Sequence, residues 1–321
     1  MTMARSLAAW LGRRALAALV TLLVASILIY GSLRLVPGDP VLAVTGGRRL
    51  TPDQIAALRA GYGLDRGLVQ GYLEWLGGVL RLDLGTSLTY QSGVTTLLTG
   101  RLGVSGLLVA YSAVLAIAFG LAVALVSAVK GGLVDRAASI VAALTTATPT
   151  FVAAIGLLAL FAVGLGWFPA TGAGTGLAGR LWHLTLPAVA MAIAAFGVLA
   201  RVGNAAFAGE LGREHVEVAR SRGVSGGAII RRHVVRNALA PLLTIAGLLV
   251  ASLFVGTAVV ETAFGVDGVG SLLVSSVSRR DFPVVQGIAL VAVALFVLVN
   301  TLVDLALPFI DPRVTVGGLS R

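Results

Sequence analysis

With 321 residues, 57% of them apolar, only 12% charged and a mean hydropathy of +0.97, the chain is too apolar for an ordinary soluble domain and reads as a polytopic membrane protein. It has no cysteine, which excludes disulfides, thiolate catalysis and Cys-ligated metal; its three histidines, His183, His215 and His233, have no metal-ligand spacing. A net charge of +10 would suggest nucleic acid in a soluble protein, but in this class it is better explained by membrane orientation, so no nucleic-acid partner is expected.

Crossing a bilayer as a helix takes roughly 20 mostly apolar residues. Six stretches qualify: Ala15–Val36, Val104–Val129, Ala137–Trp167, Leu184–Ala206, Ala238–Val260 and Val284–Ile310. Their continuous apolar character excludes the alternating pattern of a membrane β-barrel, so the fold class is all-α. The first stretch is too long for a signal peptide, and no small-residue cleavage site precedes Pro37-Gly38-Asp39-Pro40.

Short cytoplasmic loops collect basic residues. An N-terminus inside puts Arg5, Arg13 and Arg14, then Lys130 and Arg136, then an Arg-rich loop, then Arg313 and Arg321 on the cytoplasmic side. Both termini are then cytoplasmic. Arg279 and Arg280, after the fifth span, are an exception to this order.

The first external loop, Pro37 to about Arg101, is too long for a mere connector. Thr51-Pro52-Asp53-Gln54 has a cap residue followed by Pro at the first helical position, with Ile55, Leu58 and Tyr62 on one face after it. Tyr72, Trp75, Leu76 and Val79 form a second amphipathic stripe interrupted by Gly77-Gly78, and Asp83-Leu84-Gly85-Thr86-Ser87 reads as a turn. Two readings stand side by side: a cap on the outer membrane surface, with its aromatics at headgroup level, or a docking surface for an external partner.

Charge is scarce, yet six arginines (213, 220, 222, 231, 232 and 236) fall between the fourth and fifth spans, with Arg201 at their upstream edge. Glu210, Glu214 and Glu217 precede Arg213, Arg220 and Arg222, an order that suits a helix dipole and permits Glu210–Arg213 and Glu217–Arg220 pairs. Gly223 falls at a helix C′ position, Ser225-Gly226-Gly227 makes the turn, and a second helix runs from Ala228 through Asn237 to Pro241. The expectation is a helix-turn-helix outside the membrane, either docking a soluble partner or anchoring to anionic lipid.

This loop resembles the EAA signature of permease subunits of ATP-binding-cassette importers, with its glycine matched by Gly223 and the first alanine of the triplet replaced by Val218. More narrowly, Ala219-Arg220-Ser221-Arg222-Gly223 followed by Arg232-His233-Val234-Val235-Arg236-Asn237-Ala238-Leu239-Ala240-Pro241 is similar to the dipeptide/oligopeptide/nickel permease family. The same order continues in Leu35-Val36-Pro37-Gly38-Asp39-Pro40, Gly63-Leu64-Asp65, Tyr72-Leu73-Glu74-Trp75-Leu76 and Asp83-Leu84-Gly85-Thr86-Ser87. In the last third come Val260-Glu261-Thr262-Ala263-Phe264, Asp281-Phe282-Pro283-Val284-Val285-Gln286-Gly287, Asn300-Thr301-Leu302-Val303-Asp304 and Asp311-Pro312-Arg313. The chain resembles the first, B-type, of two permease subunits.

The resemblance implies a type I importer permease with six transmembrane helices, cytoplasmic coupling helices and an external subdomain. Its divisions are 1–36, an N-terminal segment and first span; 37–101, the external subdomain; 102–310, the core, including a coupling loop at 208–237; and 311–321, a cytoplasmic tail. Glu217, Ala219, Arg222, Gly223, Arg232, His233, Asn237 and Pro241 are carried over as the ATPase coupling loop. Glu74, Trp75, Asp83 and Gly85 are candidates for receptor docking. Implied partners are a second permease subunit, two ATPase subunits, an external substrate-binding protein and the bilayer of a bacterial plasma membrane. No cofactor is expected on this chain; ATP and Mg would sit on the partner ATPases. Di- and oligopeptides are the expected cargo, with a nickel chelate or another small solute as the alternative.

Non-importer readings are weaker. Gly-x-x-x-x-Gly-Lys-Ser/Thr is absent, since the single lysine lies in Val129-Lys130-Gly131-Gly132, and Gly172, Gly174 and Gly176 follow no strand. A membrane enzyme would need converging titratable groups, and the spans hold few: Arg34, Arg201, Glu261 and Asp304. Glu261, Asn300 and Asp304 are the intramembrane polar candidates, the last two at i,i+4 on one face. An ion-driven transporter would leave the Arg-rich loop unexplained.

Overall fold

A computed structural model describes residues 2–34, 51–54, 56 and 67–310. Leu35–Pro40, the Ile55/Leu58/Tyr62 face, Gly63-Leu64-Asp65 and the Asp311-Pro312-Arg313 motif lie outside the described residues. At Thr51 the expected helix start is present: Thr51 N donates to Gln54 Oε1 (3.0 Å), and Gln54 N donates to Thr51 Oγ1 (3.4 Å). This is the reciprocal pairing of a capping box.

The elements follow as α1 (Thr2–Arg34), α2 (Leu68–Leu80), α3 (Val94–Lys130), α4 (Gly132–Ala147) and α5 (Thr150–Leu157, continued as a π-helix over Leu158–Gly164). After them come α6 (Gly176–Leu211), α7 (Glu214–Ser221), α8 (Gly226–Ile229, continued as a π-helix over Ile230–Val235), α9 (Arg236–Ala263), α10 (Val269–Ser278) and α11 (Phe282–Ile310). Among the described residues the sole β pairing is an isolated bridge between Thr86 and Gly93.

Among the described residues five helical segments are long and apolar enough to cross a membrane: Trp10–Ser32, Val94–Lys130, Gly176–Leu211, Gly226–Ala263 and Phe282–Pro308. The sixth expected span, Ala137–Trp167, is not one rod. It is α4 and α5, bent by 98°. The cause is Pro149, whose ring disfavours the α region for the residue before it, so Thr148 (ψ 117°) and Pro149 (ψ 138°) are both extended.

The helices pack by close backbone approach, because lipid gives no hydrophobic drive for association. A Cβ on Gly120 of α3 would stand 2.8 Å from Leu199 Cβ of α6, and one on Gly203 would stand 2.7 Å from Ala124 Cβ. The absent side chains let α3 and α6 form the central pair, with Leu108, Leu184, Met191 and Leu199 buried around it. α9 lies across both and carries α11, against which α1 rests. Much of α1 faces outward, with Leu16, Leu19 and Leu28 each more than 60% exposed, as a lipid-facing helix requires.

Candidate functional site

One end of the bundle carries the Arg-rich segment. α6 runs out to Leu211, so Glu210 closes α6 and is not part of the first short helix. Glu210 pairs with Arg213 (3.0 Å), whereas no Glu217–Arg220 pair forms among the described residues. α7 then begins at Glu214, with Glu214 and Glu217 in its first turn and Arg220 in its last, in line with the helix dipole. Val216 (0% exposed) and Ala219 (7%) point inward, where they meet Ala124 of α3, Phe207 of α6 and Ile229 and Val234 of α8. Glu217, Val218, Arg220 and Arg222 point outward. Val218, in place of the triplet alanine, is therefore a surface substitution that leaves the buried seam intact.

Gly223 has φ 74°, follows the C-cap Arg222 and donates its N–H to Arg220 O (3.0 Å). A left-handed residue is needed here to turn the chain back, and glycine adopts it without steric cost. The next helix differs from expectation. It does not stop at Asn237: α8, its π-helical turns and α9 form one apolar rod, Gly226–Ala263, with Pro241 inside it. Pro241 removes one N–H, and the wide π turns lie just upstream of it. Arg231, Arg232, Arg236 and Asn237 are exposed beside Arg222 and Gly223. His233 is half-buried; its ring centroid is 5.9 Å from that of His215, which lies 3.3 Å (Nε2) from Asn237 Nδ2. The structure thus gathers Glu217, Arg222, Gly223, Arg232, His233 and Asn237 at one corner, with Ala219 as its buried anchor and Pro241 in the span behind.

This corner is tied to the rods. Asn204 of α6 donates to Ser127 Oγ (2.6 Å) at the end of α3 and to Asp135 Oδ1 (2.9 Å) in the first turn of α4. Neither Asn204 nor Asp135 was singled out from sequence.

At mid-length of α6 and α9, beside the α4–α5 bend, is a cavity of about 190 Å³. Thr146, Thr150 and Ser252 bring hydroxyls to its wall, and Met191, Val198 and Leu253 bring apolar surface.

The opposite end is pinned by buried acids. Glu261, 0% exposed, accepts from Ser105 Oγ (2.6 Å) and from Ser271 N (3.0 Å), while Ser105 Oγ accepts from Val269 N (2.8 Å). The carboxylate and hydroxyl together satisfy the start of α10, where N–H groups and the helix dipole favour a negative charge. A Cβ on Gly268 would run into the Glu261 carboxylate, so only glycine fits there. Asp281, also 0% exposed, accepts from Ser87 Oγ (2.6 Å), Leu88 N (3.2 Å) and Thr89 N (3.0 Å). Arg101 Nε donates to Asp267 Oδ1 (2.8 Å). Asp281 thus ties the 87–89 turn to the α10–α11 connection, and Glu261 with Ser105 ties the start of α10 to α9 and α3. Partners 156 to 194 residues apart leave no local sequence pattern.

The remaining sequence candidates behave as follows. Trp75 is not presented outward as a docking residue; its ring lies 5.6 Å from Tyr30 of α1 and 6.2 Å from Tyr72, whose hydroxyl is 2.9 Å from Ser26 Oγ. Glu74 accepts from Gln70 Nε2 (3.1 Å) along α2, a helix that Gly77-Gly78 does not interrupt. Asp83 accepts from Gly85 N (2.9 Å), and Gly85 has φ 86°, so both serve the turn. Asn300 and Asp304 make no joint site: Asn300 donates to Phe296 O of its own helix (2.8 Å), and Asp304 pairs with Arg14 of α1. Among the described residues no group of three His, Cys, Asp or Glu is placed to hold a metal.

The chain is similar to known membrane transport components. Residues 84–316 match the family model described as binding-protein-dependent transport system inner membrane component, and residues 7–98 match the N-terminal model of the same membrane component. A Brucella suis biovar 1 protein whose name includes "peptide permease protein" is 35% identical over 311 residues, covering 94% of this chain and 98% of that one. The glutathione transport system permease protein of Pectobacterium atrosepticum is 35% identical over 303 residues, covering 94% and 97%. In fold, the chain is similar to the inward-facing MetNI methionine ABC transporter, with a TM-score of 0.57 at 18% identity, over 67% of this chain and 96% of that one.

Proposed function

Because this chain belongs to the family of inner membrane components of binding-protein-dependent transport systems, as a permease subunit of an ABC importer, we propose that it forms half of a peptide pathway driven from its basic corner. The observation that carries this reading is mechanical. The exposed surface of α7 and α8 is continuous with two membrane rods, α6 through Leu211 and α9 through the Gly226–Ala263 helix. The Val216/Ala219 seam holds α7 against both rods, so a push on Glu217, Arg222 and Arg232 is delivered to them as a unit.

The pushing partners are two ATPase subunits, which bind ATP and Mg; this chain binds neither. Their closure moves the α7–α8 corner inward as a rigid body, and α6 and α9 follow. Both rods line the cavity at the α4–α5 bend, where an interrupted backbone at membrane depth suits a solute-lined wall better than a lipid-facing one. A second permease subunit faces this wall, and an external substrate-binding protein delivers cargo to the end that carries α10. Both termini and the α7–α8 corner lie in the cytoplasm, in six crossings with α4–α5 counted as one, and residues 37–101 form the external subdomain. The relatives' names support peptides, glutathione being itself a small peptide.

The test is uptake into proteoliposomes containing the whole complex, with and without internal ATP, using dipeptides, oligopeptides and a nickel chelate in parallel. ATP-dependent peptide uptake is expected. Uptake of the nickel chelate alone would replace the cargo, and uptake driven by an ion gradient without ATP would defeat the coupling role.

A further inference from the structure

Resting on the reading that the α10 end faces the external binding protein, we propose that Arg279 and Arg280, with Gln91 beside them, form a preorganised dock for an acidic surface of that protein. Of the sequence candidates for docking, Asp83 accepts the Gly85 N–H and Trp75 packs on Tyr30.

The first support is charge. Arg279 and Arg280 are exposed in the short connection between α10 and α11, and on the outer side they oppose the bias that orients the other short loops. Among the described residues neither has a carboxylate partner within ion-pair distance; Arg279 lies 5.9 Å from the ring centroid of Tyr90. Two unpaired cations retained against the orientation rule suit a negatively charged partner.

The second support is backbone geometry. Among the described residues, positive φ at a non-glycine occurs at Leu82 (63°), Gln91 (49°) and Arg280 (55°). Gln91 and Arg280 are joined through Leu88 and Asp281. Thr95 Oγ1 holds Leu82 O (2.7 Å), Gln91 Nε2 holds Leu88 O (2.8 Å), and Leu88 N is bound by Asp281, the neighbour of Arg280. Left-handed geometry at bulky residues is unfavourable and is retained where surroundings over-determine it, which is a feature of binding sites. Buried Asp281 is the over-determining group, because its three acceptor bonds lock the 87–89 turn to the α10–α11 corner.

The experiment uses the reconstituted complex and the purified substrate-binding protein encoded with it, in nanodiscs of zwitterionic and of anionic lipid. Wild type is compared with the Arg279→Glu/Arg280→Glu double variant and with Arg280→Gly, which removes one cation while easing the backbone. The double reversal is expected to raise the half-saturating binding-protein concentration for ATPase stimulation on the order of tenfold or more, and to flatten its salt dependence. Arg280→Gly should give a smaller rise. An unchanged binding-protein response in both variants overturns the proposal. So does an effect confined to the basal rate that follows anionic lipid content, which would make the corner a headgroup site. A wild-type complex that the binding protein does not stimulate would overturn the importer reading as well.

Discussion

Gly223 is the residue on which the basic corner turns, and its φ of 74° makes the consequence of substitution calculable. A β-branched side chain in left-handed geometry costs about 1–2 kcal/mol locally. Gly223→Val is therefore expected to lower substrate-stimulated ATP hydrolysis by the complex while membrane insertion stays normal; a well-expressed variant with wild-type coupling would contradict this role. Glu261 gives a stability prediction. Removing its carboxylate in Glu261→Ala leaves the Ser105 hydroxyl and the Ser271 N–H buried without their acceptor, at roughly 1.5–3 kcal/mol per lost bond to a charged group. Glu261→Gln keeps one carbonyl acceptor. Melting of the detergent-solubilised complex should rank wild type above Gln and Gln above Ala, and equal melting points would remove Glu261 from the fold's supports. The left-handed turn at Gly223 was legible in the sequence because glycine, the preceding charge order and the following Ser-Gly-Gly are local signals. The partners of Glu261 were not, because Ser105 is one serine among many until α3 and α10 meet.

At the scale of elements, Pro149 decides whether α4 and α5 form one span or two. Ala137–Trp167 is apolar overall and carries no charge, so hydropathy reads a single crossing, while the proline's exclusion of Thr148 from helical geometry breaks it by 98°. Pro149→Ala should let the segment straighten. Spin labels on cysteines replacing Ile140 and Leu160 are expected to move apart, and peptide uptake to fall as the cavity at Thr146 and Thr150 changes shape. An unchanged label distance would show that packing of α6 against the bend, rather than proline, maintains it. The opposite error occurred at Pro241, where a proline between an amphipathic stretch and an apolar one suggested two helices. The rod continues through it, with π turns upstream and neighbouring helices on both sides. Proline in water ends helices; packed among membrane helices it is tolerated.

For the whole molecule, the proposed orientation puts the α7–α8 corner in the cytoplasm and the 83–91 segment outside. The chain has no native cysteine, so labelling of single introduced cysteines is unambiguous. In intact cells, a cysteine at Gln91 should react with an impermeant reagent, and one at Ser225 only after permeabilisation. Labelling of Ser225→Cys from outside would invert the topology. The sequence by itself determined the class, the apolar helices and the basic hairpin with its glycine, because length, hydropathy and turn chemistry are properties of neighbouring residues. It also carried the family, through the order of many short motifs. Only the tertiary structure decided that Trp75 packs on Tyr30, that Asp304 pairs with Arg14, and that Glu261 and Asp281 hold α10 to distant segments. These are contacts between residues about 45 to 290 positions apart, created when helices with little hydrophobic reason to associate in lipid are brought together by small residues and buried polar groups. No periodicity along the chain encodes which helix a polar side chain will meet.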